Sequence, residues 1–328
     1  MIMRQLLSTR LARLAAAFLL AACAGIAHAD YPDRPIQYIS PYAAGGANDF
    51  LTRLMAQQMA GVMKANIVVE NKAGANGIVG AGFVSKAAPD GYTLLMGNSA
   101  THGTNPTLYK ALPYDPNGDF APVGMVASVP IVLAVNAKLG VNSIAELIAY
   151  GKSHPGKLAF GSSGVGGTGH LCGEAFKAAT GLDMVHVPYK GDAPAVADAM
   201  GGQVPMAFVG VASAAPLLAS GKIKILAVAS THRSGSLPNV PTMGEAGYKD
   251  LQFAQWYALF TRAGTPAPVI DKLNQATRAV LAKGDVKKSL ATQGADPEYM
   301  TPDQLRAFYQ SEITRFADII NRLGIKTE

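Results

Sequence analysis

The sequence predicts an α/β protein of two lobes with a ligand cleft between them. Three observations lead there. Short β-type runs alternate with helix-spaced apolar residues, the same grammar recurs in the middle of the chain, and glycine-rich turns stand where strands hand over to helices. The chain has 328 residues, of which 49% are hydrophobic and only 15% charged. That is enough to bury cores for two ordinary domains, and too apolar for a disordered chain.

The elements follow in order. Pro35–Ser40 is a short β-type run. Leu51, Leu54, Met55 and Met59 stand at helical spacing and predict a helix over Asp49–Met63. A strand is predicted at Asn66–Glu70, a helix at Gly77–Lys86, a turn at Asp90 and Gly91, and a strand at Thr93–Gly97. Such short-linked βαβ units predict a parallel sheet with helices on both faces. In the middle, Ile131–Val135 is β-type, and Ser143 with Glu146 is a capping-box signal for a helix that stops before Pro155. Leu158–Gly161 is a strand, and a glycine-rich turn leads into a helix over Gly169–Thr180. Met184–Val187, Met206–Val209 and Ile225–Ala229 are further strands, with Asp192 placed to cap a helix through Ala199. The last part is helical: Thr265 and Pro266 start a helix to about Lys283, and Thr301, Pro302 and Gln304 start one that ends near Gly324.

The N-terminus has the order of an export signal. Arg4, Arg10 and Arg13 precede the apolar Leu14–Ala22, and Ala27-His28-Ala29 is an A-x-A cleavage site before Asp30. Residues 1–29 are therefore expected to be a signal peptide, with the mature chain in the periplasm. Leu20-Ala21-Ala22-Cys23 also resembles a lipobox, so lipidation at Cys23 is the alternative. Loss of the three arginines leaves 25 basic and 22 acidic side chains. With no cluster of Lys and Arg, nucleic acid is not an expected partner. Cys172 is then the single cysteine of the mature chain, in an apolar helical context that fits inert core.

Ligands of open α/β sheets bind beyond the carboxyl ends of the strands, so the strand-to-helix turns are the candidate site. The first turn offers Tyr42, Ala44, Gly45, Gly46, Asn48 and Asp49, with Asn48 or Asp49 able to cap the helix. Its glycines allow close backbone approach, and a helix start favours an anion. The second turn offers Ser162, Ser163, Thr168 and His170 around a G-x-G-x-x-G run at Gly164, Gly166 and Gly169. That run has the context of a dinucleotide fingerprint. Its mid-chain place in an exported protein favours a carboxylate nest, and no cofactor is expected. The third turn offers Asn98, Ser99 and Thr101. No G-x-S-x-G, no paired carboxylates and no zinc-site spacing appear, so neither catalysis nor a metal is expected.

The motifs taken together resemble a known family. Tyr31-Pro-Asp-Arg-Pro-Ile36, Pro41-Tyr-Ala-Ala-Gly-Gly-Ala-Asn-Asp49, Val69-Glu-Asn-Lys-Ala-Gly-Ala75 and Pro89-Asp-Gly-Tyr-Thr-Leu-Leu95 come first. Leu112-Pro-Tyr-Asp-Pro116, Val187-Pro-Tyr-Lys-Gly191, Gly201-Gly-Gln-Val204, Trp256-Tyr257 and Gly264-Thr-Pro-Ala-Pro268 continue the series. This ordered set closely resembles the Bug family, the substrate-binding receptors of tripartite tricarboxylate transporters. The resemblance implies a type II periplasmic-binding-protein fold, with residues 30–129 and 231–328 in one lobe and 130–230 in the other. It places crossing strands near Ser128–Pro130 and Ala229–Thr231. It also implies a monomer that takes a small carboxylate, held largely by backbone amides and waters, to membrane permease subunits. A sensing module with a signalling partner would share the cleft; a hydrolase would consume its ligand. The chain departs from the family where Val209-Gly210 replaces an Asp often found at that strand end. A simple or aromatic carboxylate, or a di- or tricarboxylate, is therefore expected rather than an amino acid.

Overall fold

The computed structural model describes residues 31–326; the expected signal peptide and Cys23 lie outside them. The described residues from Arg34 onward form one compact unit. In chain order its elements begin with β1 (Ile36–Ser40), α1 (Ala47–Met63), β2 (Ile67–Asn71), α2 (Ile78–Val84), β3 (Thr93–Asn98) and α3 (Asn105–Leu108). Then come β4 (Phe120–Asn136), α4 (Ile144–Ser153), β5 (Leu158–Ser162), α5 (Thr168–Thr180), β6 (Met184–Pro188), α6 (Asp192–Gly201) and β7 (Met206–Gly210). The chain ends with α7 (Val211–Ala214), β8 (Ile223–Val228), β9 (Ala254–Arg262), α8 (Ala267–Ala282), α9 (Gly284–Thr292), β10 (Asp296–Pro297) and α10 (Pro302–Leu323).

The sheet order is β2-β1-β3-β9-β4-β7-β5-β6, with β8 and β10 also paired to β4. β4 organises it. This 17-residue strand is buried along almost its whole length. It pairs with β9 from Phe120↔Arg262 to Pro130↔Ala254. From Ile131↔Gly210 onward it pairs with β7, and from Val132↔Val228 with β8. The change of partners falls at Pro130, which has no N–H to offer a ladder. Sequence reading saw only Ile131–Val135 because Pro122, Gly124 and Pro130 look like breaks. The structure absorbs two of them at register shifts between Pro122 and Gly124 and between Met125 and Ala127. β9 was not foreseen at all. It is buried nearly throughout, so it lacks the alternation that marks a half-exposed strand.

The expected parallel sheet is correct only for the outer strands. β1 pairs in parallel with β2 and β3, and β5 with β6 and β7. The long strands β4 and β9 run antiparallel to their neighbours. The helix starts also differ in part. Ser143 accepts from the Glu146 N–H at 3.1 Å, but the Glu146 carboxylate turns to the Asn142 N–H, so the box is one-sided. Thr301 and Gln304 make both halves of theirs. Helix α8 is capped by Pro266, while the Thr265 hydroxyl turns back to the Arg262 carbonyl.

Two hydrophobic cores flank the cleft. Ile39, Leu95, Phe120, Met125 and Phe260 form one. Leu133, Phe160, Phe176, Met206 and Phe208 form the other. Helix α10 spans both, with Leu305 and Tyr309 in the first and Phe316 and Ile320 in the second. Helix α5 lies unusually close to the sheet because two of its residues have no side chain. A Cβ on Gly169 would lie 2.1 Å from the Phe208 carbonyl oxygen, and one on Gly173 would lie 2.2 Å from the Phe160 ring. The G-x-G-x-x-G run is thus partly a packing device. Gly169→Ala should cost about 2–3 kcal/mol in urea melts, since the obstacle is strand backbone. Gly61→Ala, at an exposed position of helix α1 with nothing within 4 Å, should instead add up to about 1 kcal/mol.

Candidate functional site

The three predicted turns converge. β1 and β3 are neighbours, β5 lies beyond β9, β4 and β7, and the turns that lead from these strands into α1, the Ala100–Thr104 turn and α5 come together at one cleft. The cleft lies between these turns. Tyr42, Ala44, Gly46 and Asn48 line it from the first turn, Asn98 and Ser99 from the third, and Ser163 and Thr168 from the second. The Ser99 and Thr168 hydroxyls meet at 2.8 Å, which ties the third turn to the second across the cleft.

Three helices point their N-termini into this space. Helices α1, α5 and α6 are 17, 13 and 10 residues long, and each starts at a glycine: Gly46, Gly167 and Gly191. None of the three has a side-chain cap, and all three glycines line the cleft. The first amides of a helix have no intrahelical acceptor, and the dipole adds partial positive charge there. The expected caps are therefore corrected. Asn48 is buried inside α1, where it accepts from the Ser40 hydroxyl at 2.9 Å and donates to the Met96 carbonyl at 3.1 Å. Asp192 is the first residue of α6, after the cap Gly191.

Five predicted residues are set back from the cleft. Asp49 turns away to accept from Asn71 at 2.8 Å, Arg53 at 3.1 Å and the Gly45 N–H at 3.1 Å. Burial alone would raise its carboxyl, but these partners hold it below the ordinary carboxylate range. Gly45 has φ +90°, and it shares the outer groove beside Arg53 rather than the cleft. The Thr101 hydroxyl accepts from the Asn98 N–H at 2.9 Å and shapes the third turn. Ser162 bonds His186 Nε2 at 2.7 Å, and His170 Nδ1 accepts from the Gly166 N–H at 3.0 Å. These side chains hold the loops in shape.

Sequence reasoning missed another group of lining residues: Asn76, Lys190, Asp192, Gln255 and Tyr257. The signal was present in the family motifs around Val69–Ala75, Val187–Gly191 and Trp256-Tyr257, which were not read as site. Asn76 sits at φ +52° and donates to Asn105 at 3.0 Å. Asp192 is 6% exposed. Its Oδ2 accepts from the Gly210 N–H at 3.0 Å and from Gln255 Nε2 at 3.2 Å, while Oδ1 has no hydrogen-bond partner. Burial raises this carboxyl above its ordinary range, with Gly210, Gln255 and Ser163 acting against that rise. Asp192 thus sets a carboxylate against the Gly210 amide, at the strand end that reads Val209-Gly210.

The comparisons with known proteins decide the family. The family model described as the tripartite tricarboxylate transporter family receptor matches residues 51–325. The chain belongs to this receptor family. Members of the family are substrate-binding receptors, not enzymes. Protein BugT of Bordetella pertussis is 39% identical over 297 residues, covering 90% of this chain and 91% of that protein. The R. palustris protein Rpa4515, solved with adipate, is 35% identical with a TM-score of 0.88, over 90% of this chain and 99% of that one. MatC (Rpa3494) of Rhodopseudomonas palustris, solved with bound malate, is 33% identical with a TM-score of 0.83, over 88% and 100%. The receptor has the type II periplasmic-binding-protein fold.

Three histidines of this receptor, His102, His170 and His186, are fully or partly buried. His102 stacks on Phe260 at 3.9 Å and meets Phe120 edge-on at 4.7 Å. Burial lowers its pKa to about 3. His170 and His186 stack at 3.8 Å, lowered by burial to about 4 and about 3, with His170 adding to the shift of His186. A histidine whose folded pKa lies below its unfolded value contributes stability that is complete above about pH 6.5 and lost as pH falls toward the folded value. His102→Phe should remove one such group. Between pH 5.5 and 4.5 the parent should lose about 1.4 kcal/mol per pH unit more than this variant, read by denaturant unfolding.

Proposed function

We propose that the chain is an exported receptor that captures a small carboxylate in this cleft and delivers it to the membrane permease subunits of a tripartite tricarboxylate transporter. The observation that carries the reading is the convergence of three glycine-capped helix N-termini on one cleft. Backbone amides aimed at a common point favour an anion without a buried cation. Relatives solved with adipate and malate support the same class. Export to the periplasm is supported by the order of the first 29 residues. Among the described residues no helix is long and apolar enough to cross a membrane.

In this reading, residues 30–129 and 231–328 form one lobe and 130–230 the other. The hinge lies where β4 changes partners at Pro130 and Ile131, and near Ala229–Thr231. Ala229 N–H donates to the Ile131 carbonyl at 2.7 Å, so the two crossings are tied together. A ligand touching both lobes favours the closed form by its differential affinity. Helix α10 packs on both cores and keeps that closure small.

Gly46 gives a clean test of the anchor. Its backbone is extended at φ −90°, and a Cβ there meets nothing within 4 Å. Gly46→Val should therefore fold normally. Its side chain should shield the α1 amides and weaken carboxylate binding at least about tenfold by calorimetry, equivalent to about 1.4 kcal/mol. Thr168→Ala should weaken binding less, because it removes the bond to Ser99 and leaves the amides in place. Parental affinity in a folded Gly46→Val protein would place the anchor elsewhere. Small-angle scattering at saturating ligand should show a small fall in radius of gyration.

A further inference from the structure

The receptor's cleft holds one group that a plain carboxylate site does not explain. Asp192 is an acid in a space built to attract anions, and it is nine-tenths buried. Its Oδ2 is fixed by the Gly210 amide and Gln255, and Gln255 is held in turn by the Tyr257 hydroxyl. Gly210 leaves room for this arrangement, since a Cβ there would lie 3.2 Å from Oδ2 and 3.1 Å from Val129. The Oδ1 atom is also buried, yet it has no hydrogen-bond partner in the protein. A ligand carboxylate on the helix amides would share the cleft with this second negative group. A hydrogen-bond donor on the ligand removes the conflict by bonding Oδ1.

We propose that Asp192 determines the specificity of this cleft, selecting carboxylates that carry an ammonium or hydroxyl donor over donor-free carboxylates of the same skeleton. The proposal rests on the carboxylate reading above and narrows it. Aromatic or straight-chain acids without a donor drop out. Hydroxy and amino acids, including those with two carboxylates, remain. Lys190, exposed at the same cleft, is available to a second ligand carboxylate.

Calorimetry on the mature chain with matched acids tests this. Suitable sets are succinate, malate and aspartate; adipate with its 2-hydroxy and 2-amino forms; and benzoate with its 2-hydroxy and 2-amino forms. In at least one set a donor-bearing member should bind at least about tenfold tighter than the donor-free acid, and the two donor arms show whether ammonium or hydroxyl is preferred. Asp192→Asn keeps the size and can keep an oxygen on the Gly210 amide, which places an NH2 where Oδ1 was. There the preference should shrink below about twofold or reverse. Donor-free acids that bind the parent as tightly as their partners in every set that binds overturn the proposal without touching the carboxylate reading. So does a preference that survives in Asp192→Asn. Failure of every acid to bind removes the carboxylate reading and this proposal with it.

Discussion

Glycine-capped helix starts are the constraint from which the site follows. A helix of ten residues or more leaves its first amides without acceptors, and these must find partners outside the helix. At Ser143 and Thr301 a side chain supplies one. At Gly46, Gly167 and Gly191 none does, and the three starts face one shared cleft. Helix α8 also starts without a side-chain cap, so what sets these three apart is that their open starts share one cleft. The side chains of the neighbouring residues are turned away to keep the loops in place. Asn48 braces β1 against β3, Asp49 joins the loop to Arg53 and Asn71, and Thr101 holds the turn after β3.

The geometry of these starts depends in turn on close packing below them. Helix α5 can set Gly167 at the cleft because Gly169 and Gly173 let it settle onto β7 and β5. Gly166 has φ +76°, and a Cβ on it would run into Leu108. The G-x-G-x-x-G spacing thus serves backbone shape and helix seating, with no dinucleotide needed to account for it. Asp192 adds a counterweight to the positive helix ends. An unpaired buried carboxylate oxygen costs about 1–3 kcal/mol, a cost that a bound donor would relieve.

Much of the fold was legible in the sequence. Outer strands and most helices were placed within a residue or two, because their periodicity and end signals are local. The first turn, the glycine-rich turn and the Asn98–Thr101 turn were found for the same reason. β9 and the first half of β4 were not. Strands buried on both faces show neither alternation nor helical spacing, and Pro122, Gly124 and Pro130 gave false stops. Their partners lie more than a hundred residues away, as in Phe120↔Arg262.

The sequence by itself determined the family, the α/β class and which turns line the cleft, since each is written in short contiguous motifs. Only the tertiary structure decided which residues of those turns face the cleft. Thr101 and Asp49 face inward or outward according to hydrogen bonds with neighbouring elements, not according to their own propensities. It also brought Asp192 to the Gly210 amide and Gln255 to Asp192, across 18 and 63 residues of chain. Such contacts depend on how two sheets meet along β4, and no local pattern encodes that meeting.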